Sequence, residues 1–288
     1  MKDAIDRICG YYSESDAAAI RRAYDLACTS LEGMSRSNNH PFIEHPVAVA
    51  EIVAGELGLG ADAVSAVFLH EASRKDNSLL DSVRDSFDKS VIDMAVSLNK
   101  ISEIKPKDTR LEADRYRKLI ATYSSDPKVF LIKLADRLEI MRNLSILSKS
   151  DQMRKNAETI LLYVPLAHQT GVYNVKSELE DLWLKYADPV QFRAISNQLK
   201  AGEKEREALV REFVQPLEDK LKAKGIKYTL KARTKSAYSI WRKMQVQDIP
   251  FSKVYDVFAI RFIIDAPLDK EKDLCWEVYS LVTEEYVL

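Results

Sequence analysis

The first two-thirds of the chain show the hydrophobic spacing of packed helices. Apolar residues recur at intervals of three and four positions, which is the period of one face of an α-helix. The clearest example is the set Leu131, Leu134, Ala135, Leu138 and Met141. Glycine and proline are few, with 8 and 9 in 288 residues. The pattern therefore predicts an all-helical bundle up to residue 223.

A different pattern begins near Gly225. Residues 226–230 alternate apolar and polar side chains, which is typical of a half-buried strand. Residues 257–264, VFAIRFII, form an apolar run interrupted by Arg261, and we expect this strand to be buried on both faces of a larger sheet. Helical patterns lie between the two strands and after them. The sequence thus predicts a mainly α fold in which a helical bundle precedes a smaller α+β part.

Charge and cysteine content exclude several classes of protein. The chain carries 43 basic and 44 acidic residues, which argues against a strongly basic nucleic-acid-binding surface. Its 3 cysteines are too scattered for a disulfide framework and favour a reducing compartment. The polar N-terminus lacks the apolar core of a signal peptide, and no apolar run approaches the ~20 residues needed to span a bilayer. We expect a cytoplasmic protein without membrane contact.

An acid, Asp136, lies inside the helical pattern. A carboxylate there needs a partner because burying a lone charge is costly. A metal ion or the adjacent Arg137 would serve, and a structural ion pair is the commoner fate of such groups. Upstream, His45, His70 and Glu71 lie on other predicted helices. Together with Asp136 they could converge on one divalent cation.

The order of these groups resembles that of HD-type metal phosphohydrolases, and the surrounding motifs resemble one family in particular. The motifs are PFIEHP, KLADRL, AETILLYVPLAH and KSELEDLWLKYADP. The family is the RelA/SpoT homologues, which make and destroy the guanosine alarmone (p)ppGpp. The resemblance extends from about residue 24 to the C-terminus and is most specific over 132–189. It implies an HD-type helical bundle followed by an incomplete nucleotidyltransferase-like α+β domain.

The resemblance also implies a manganese site in the helical domain. The matching ligands are His45, His70, Glu71 and Asp136. Glu71 stands where the family has aspartate, so its carboxylate is one methylene longer. A more serious departure concerns the family motif HDxxEDT, whose Glu-Asp pair orients the attacking water. Arg74 and Lys75 replace that pair here.

These two cations oppose hydrolysis. Metal-assisted hydrolysis needs a base to accept a proton from water, and arginine cannot act as one. At ~5 Å and an effective dielectric of ~20, each unit charge changes the interaction with a divalent ion by several kcal/mol. We therefore expect a vestigial metal site without manganese and a lost hydrolase activity. The alternative is that Arg74 and Lys75 face solvent while Asp76 substitutes after a register shift.

The nucleotide-binding positions of the helical domain are partly kept. Arg36 matches the family residue that stacks on guanine, and Phe42 replaces a tyrosine, so it can stack but cannot donate a hydrogen bond. Glu139 and Ile140 replace a His-Asn pair whose Asn helps to hold the nucleotide. The domain would then be a regulator. The alternatives are a non-catalytic guanine-nucleotide sensor and a residual metal-dependent (p)ppGpp 3′-pyrophosphohydrolase.

The segment KARTKSAYSIWRKM resembles the ATP-binding element of the family's pyrophosphokinase domain. It implies that Arg233, Lys235 and Lys243 contact ATP, supported by Ser239. Cations beside a helix N-terminus suit a polyphosphate, although such a row of cations is more often a solvated face. Asp256 matches the family's magnesium-binding aspartate, and magnesium typically takes one or two carboxylates plus phosphate oxygens.

The whole resemblance implies a GTP pyrophosphokinase, which moves pyrophosphate from ATP to the 3′-hydroxyl of GDP or GTP. We predict a hydrolase-like domain at 1–193, a connecting helix at 194–224 and a truncated synthetase domain at 225–288. The family's second catalytic glutamate and its acceptor-binding segment have no match here. We therefore expect an N-terminal part of a longer protein, inactive by itself in both reactions. Ribosome contact would require regions beyond this chain.

Overall fold

The computed structural model describes residues 2–74, 76, 78–103 and 126–286, so the predicted site residue Lys75 lies outside the described residues. The chain divides into two compact units, Met1–Ala187 and Asp188–Leu288. The first is helical throughout its described ranges, and the second adds a two-stranded sheet, which confirms the predicted fold class. Among the described helices, none combines the length and apolarity needed to cross a membrane.

The first unit contains ten helices in its described part. They are α1 (Lys2–Cys9), α2 (Glu14–Ser30), α3 (Glu44–Glu51), α4 (Ala61–Ser73), α5 (Ser78–Ser82), α6 (Lys89–Glu103), α7 (Pro127–Arg142), α8 (Lys149–Glu158), α9 (Val164–Gln169) and α10 (Tyr173–Ala187). A π turn, Ile52–Glu56, extends α3, and a second, Thr159–Tyr163, joins α8 to α9.

Helix α4 lies at the centre of this unit. Every residue from Ala63 to Ser73 is buried, and the helix packs against α2, α3, α6 and α7. Phe68 is fully buried and meets Tyr24 of α2 edge to face, with ring centroids 5.6 Å apart. A helix that is apolar all round belongs inside a core. His70 and Glu71, on the last turns of α4, are therefore carried into the interior.

Helix α7 is the second central element. Asp126 caps its first turn by accepting a hydrogen bond from the Lys128 amide at 2.9 Å, and Pro127 occupies the first helical position. The predicted apolar face is buried apart from the half-buried Leu131. Three charged residues are buried on the same helix: Lys133, Arg137 and Glu139.

The π turn Thr159–Tyr163 has a local cause. Pro165, just after it, has no backbone N–H, and its ring crowds the carbonyl four residues earlier. The wider turn relieves this conflict and leaves Leu162 and Tyr163 in the wall of a cavity. Such π turns inside helices are frequently found at functional sites.

The second unit combines helices with an antiparallel strand pair. Its elements are α11 (Pro189–Ala201), α12 (Glu203–Ala223), β1 (Tyr228–Thr234), α13 (Ala237–Gln247), β2 (Phe258–Ile264) and α14 (Glu271–Glu285). In the β1–β2 pair, Lys231 lies opposite Arg261. The predicted connecting helix, 194–224, is divided between α11 and α12. Gly202 ends α11, and its N–H donates to the Gln198 carbonyl. The predicted domain boundaries stay a prediction.

The expectation that the second strand is buried on both faces concerns a larger sheet, whereas the described residues contain a two-stranded one, so it stays a prediction. Phe258, Ile260, Phe262 and Ile264 are half-buried, whereas the alternating residues between them are exposed. The covered face packs on a small cluster formed by Leu221, Ile226, Val278 and Leu281. Within the described residues no layer covers the other face, so the run VFAIRFII serves a one-sided sheet.

We expect the amides of β2 to exchange their hydrogens much faster than those of α7. A two-stranded sheet on a small cluster opens easily, whereas α7 lies in the main core. The difference should be on the order of 100-fold, or about 3 kcal/mol in opening free energy. Hydrogen exchange of the whole chain, read by mass spectrometry, measures both segments at once. Equal protection of the two segments would show that the second unit is as stable as the first.

Candidate functional site

A cavity of about 690 Å³ lies within the first unit, lined by residues of α3, α4, α7, α8 and the loop before α3. This volume suits a small-molecule ligand. The cations in its wall are Arg36, Arg74, Lys133, Arg137, Arg154 and Lys155. The acids in its wall are Glu71, Asp136, Glu139 and Glu158. Cations thus outnumber acids among the described residues of the wall, which favours an anionic ligand.

His45 is held at both ring nitrogens. Its Nδ1–H donates to Glu139 Oε2 at 2.6 Å, and its Nε2 lies 3.2 Å from Asp136 Oδ1. Burial by itself lowers the pKa of His45, but the hydrogen bonds to these two carboxylates outweigh it and raise the pKa to about 10. His45 is consequently a cation in this arrangement.

His70 has a different environment. Its Nδ1–H donates to Asn99 Oδ1 at 2.5 Å, and the Asn99 amide in turn donates to Ser73 Oγ at 2.9 Å. Burial lowers the pKa of His70 below its usual value, although the charge of Glu71 opposes this shift. Its Nε2 lies 3.6 Å from Glu71 Oε1 and 3.4 Å from Ser102 Oγ.

Glu71 is paired with the first of the two unexpected cations. Arg74 Nη1 donates to Glu71 Oε2 at 3.0 Å, one helical turn away. Burial raises the pKa of Glu71, but the charges of His70, His45 and Arg74 outweigh it and lower the pKa below its usual value. Arg74 lines the cavity, so the alternative in which it faces only solvent does not describe this structure.

Asp136 is the acid that the sequence singled out, and its partner differs from the expected one. Lys133 Nζ lies 2.5 Å from Asp136 Oδ2 and also donates to Ser102 Oγ at 3.3 Å. Arg137 turns away instead, because its Nη2 donates to Glu158 Oε2 at 2.7 Å and its guanidinium lies over the Tyr163 ring at 4.1 Å. Burial raises the pKa of Asp136, but Lys133 and His45 outweigh it and hold the pKa well below its usual range.

The predicted ligands are close together, since His45 Nε2 lies 3.2 Å from Asp136 Oδ1 and 3.9 Å from Glu71 Oε1, and protein cations also contact both carboxylates. Both oxygens of Asp136 are engaged, one by His45 and one by Lys133, and Glu71 is engaged by Arg74. A metal would have to displace these cations or tolerate them within its own coordination shell. No set of three or more His, Cys, Asp or Glu side chains is arranged to hold a metal ion in the described residues.

Glu139 contacts both Arg36 and His45, whereas the sequence named it only as the replacement of a family histidine and not as a site residue. Its carboxylate accepts from Arg36 Nη2 at 2.8 Å, from His45 at 2.6 Å and from Asn143 Nδ2 at 2.9 Å. The available signal was a charged side chain one turn after Asp136, on the face that α7 buries. Lys133 gave the same signal three residues before Asp136 and was also missed.

The two predicted nucleotide-binding residues of this unit both line the cavity. Arg36 is largely buried and ion-paired with Glu139, and a backbone bond from its N–H to the His40 carbonyl at 2.8 Å fixes its loop. The ring of Phe42 lies 5.7 Å from the His45 ring. The cavity therefore has an aromatic and a planar guanidinium surface beside its charged groups.

The second unit brings part of the predicted ATP site together. Lys243 Nζ lies 3.3 Å and Lys235 Nζ 3.9 Å from Asp256 Oδ2. Ser239 lies in the first turn of α13, where its N–H donates to Ser236 Oγ. Arg233 lies on β1 opposite Ala259. Asp256 has a left-handed backbone with a φ of 62° and is largely exposed.

Comparisons with known proteins match two separate parts of the chain. Residues 23–173 match the model of the HD domain, and residues 232–287 match a region found in RelA/SpoT proteins. The chain is 33% identical over 277 residues to the bifunctional (p)ppGpp synthase/hydrolase SpoT of Escherichia coli, covering 96% of this chain and 39% of that protein. It is 31% identical over 278 residues to a GTP pyrophosphokinase of Myxococcus xanthus, covering 95% of this chain and 36% of that protein.

A third relative is the guanosine-3′,5′-bis(diphosphate) 3′-pyrophosphohydrolase of Aquifex aeolicus, 32% identical over 266 residues and covering 92% of this chain and 38% of that protein. The chain thus spans about two fifths of the length of these relatives. The HD-domain match alone covers more than half of this chain. The chain therefore belongs to the RelA/SpoT family, with an HD domain followed by a RelA/SpoT region.

Proposed function

We propose that the HD domain of this chain no longer hydrolyses (p)ppGpp and instead regulates a (p)ppGpp synthetase. The observation that carries the proposal is the 3.0 Å ion pair between Arg74 and Glu71. An arginine holds the carboxylate that would ligate the metal, at a position where the family resemblance implies an acid. Hydrolysis needs an activated water and a base to accept its proton, and Arg74 supplies neither.

The second unit supports the synthetase half of the proposal. Lys235 and Lys243 would bind ATP phosphates, and Asp256 would hold magnesium, which neutralises phosphate charge when bound. The transfer would move the pyrophosphate of ATP to the 3′-hydroxyl of GDP or GTP. The partners of the whole protein would then be ATP, GDP or GTP, and (p)ppGpp. Inactivity of this chain alone, a ribosome contact and the cytoplasmic location stay predictions.

A second candidate function for the HD domain is a non-catalytic guanine-nucleotide sensor. The observation that favours it is the cavity itself, with its surplus of cations and the stacking surfaces of Arg36 and Phe42. A nucleotide bound there would be recognised without being cleaved. A sensor and a regulator are compatible, because a regulatory domain needs a ligand or a partner that biases it.

We expect no release of pyrophosphate from ppGpp by the chain, with or without manganese. The triple change Glu71→Asp, Arg74→Glu, Lys75→Asp should strengthen manganese binding at least about tenfold, because it replaces Arg74 at the cavity wall, and the next residue in the sequence, with two acids. Electron paramagnetic resonance of titrated manganese measures the binding, and pyrophosphate release measures the activity. Arg84→Glu, at an exposed arginine also paired with an acid one turn away, is the matched control and should change neither. Pyrophosphate release by the unmodified chain would refute the loss of hydrolase activity.

We expect ppGpp to bind the HD domain and Arg36→Ala to weaken that binding about tenfold, because a stacked guanidinium contributes on the order of 1 kcal/mol or more. Calorimetry would use a chain carrying Lys235→Gln and Lys243→Gln, so that the second unit contributes no phosphate binding. Arg36→Lys keeps the charge opposite Glu139 but loses the planar surface, so it should lose affinity nearly as strongly. Arg21→Ala, an exposed ion-paired arginine, is the control. Absence of any binding heat would remove the sensor candidate and leave the regulatory proposal intact.

A further inference from the structure

Arg74 occupies a special place among the cations of the cavity. Arg74 directly follows helix α4, which carries His70 and Glu71. Arg74 Nη1 donates to Glu71, and the arginine side chain is half-exposed at the cavity wall. In the described residues, the contacts of Arg74 use Nη1. A guanidinium has five N–H donors in one plane, so Nη2 and Nε can still donate to a ligand.

Lys133 completes a cationic pair at this end of the cavity. It is buried, contacts Asp136 and Ser102, and lines the same wall as Arg74. Each of the two carboxylates that a metal would use is thus neutralised by a protein cation. The wall contains six lysine and arginine side chains against four acids in the described residues, and Arg154 also pairs with Asp151 outside the wall. The positive charge of the wall is thus carried by protein side chains.

The charge surplus defines the ligand. A surplus of cations favours a ligand group with more than one negative charge, and a planar guanidinium binds phosphate oxygens through two parallel hydrogen bonds. A single carboxylate ligand would leave part of the surplus unmatched. The chemistry of the wall therefore fits a pyrophosphate group.

We infer that Arg74 takes the place of the divalent cation in this HD domain, so that the cavity binds a pyrophosphate group without metal. This inference rests on the proposed loss of hydrolysis and adds how a ligand is held once the metal is gone. Arg74 pairs with Glu71 on one side and donates to phosphate oxygens on the other, as a metal ion would bridge protein and ligand. The substitution that opposes catalysis thereby preserves binding.

The test is calorimetric binding of inorganic pyrophosphate to the chain carrying Lys235→Gln and Lys243→Gln, in buffer with EDTA and in buffer with manganese. We expect pyrophosphate to bind the protein in the EDTA buffer. We expect the affinity to be no higher in the manganese buffer. Arg74→Gln should weaken binding in EDTA at least tenfold, and Arg74→Lys by less, because it keeps the charge but loses the bidentate geometry. Arg84→Gln is the matched control and should leave binding unchanged. Circular dichroism verifies that each variant folds.

Three outcomes would overturn the inference. They are binding that requires manganese, binding in EDTA that Arg74→Gln does not weaken, and no binding of pyrophosphate under either condition. None of these decides the proposed loss of hydrolysis, which is measured separately by pyrophosphate release from ppGpp. The two proposals can therefore fail independently.

Discussion

The burial of charge in α7 is the constraint on which the first unit depends. Lys133, Arg137 and Glu139 are all buried on one helix, and an uncompensated charge in such a place costs several kcal/mol. Their compensation comes largely from other parts of the chain. Glu139 is satisfied by His45 of α3 and by Arg36, and Arg137 by Glu158 of α8. The arrangement of helices around α7 is therefore tied to the pairing of these charges.

The same requirement governs the chemistry of the cavity. Glu71 is buried and Asp136 is half-buried, and each of these carboxylates needs a cation within reach. In a metal phosphohydrolase a divalent ion can supply that charge, whereas here Arg74 and Lys133 lie on the two acids. These two cations keep the interior neutralised. Under the proposed function, Arg74 stands where an acid would orient the attacking water.

The two units differ in how much core supports them. The first has one continuous apolar cluster, whereas the described part of the second has two small ones, around Ile240 and around Leu281. Lys235 and Lys243 are accordingly half-buried and Asp256 is exposed, on elements that rest on these small clusters. Residues so placed can bind a polyphosphate, but their precision depends on the elements that hold them.

Local periodicity in the sequence determined the helical class, the buried face of α7 and the strand pattern after Gly225, whereas the set of groups that converge on the cavity came from the order of the motifs and their resemblance to the family. The first three features follow from spacing along the chain, because residues three or four apart share a helix face. The partners of the buried charges were decided only by tertiary structure. His45 and Glu139 are 94 positions apart, and no local pattern says which helix supplies a partner. The choice of Lys133 over Arg137 for Asp136, and the single covered face of β2, likewise depend on what packs against each element, which is why the sequence alone did not give them.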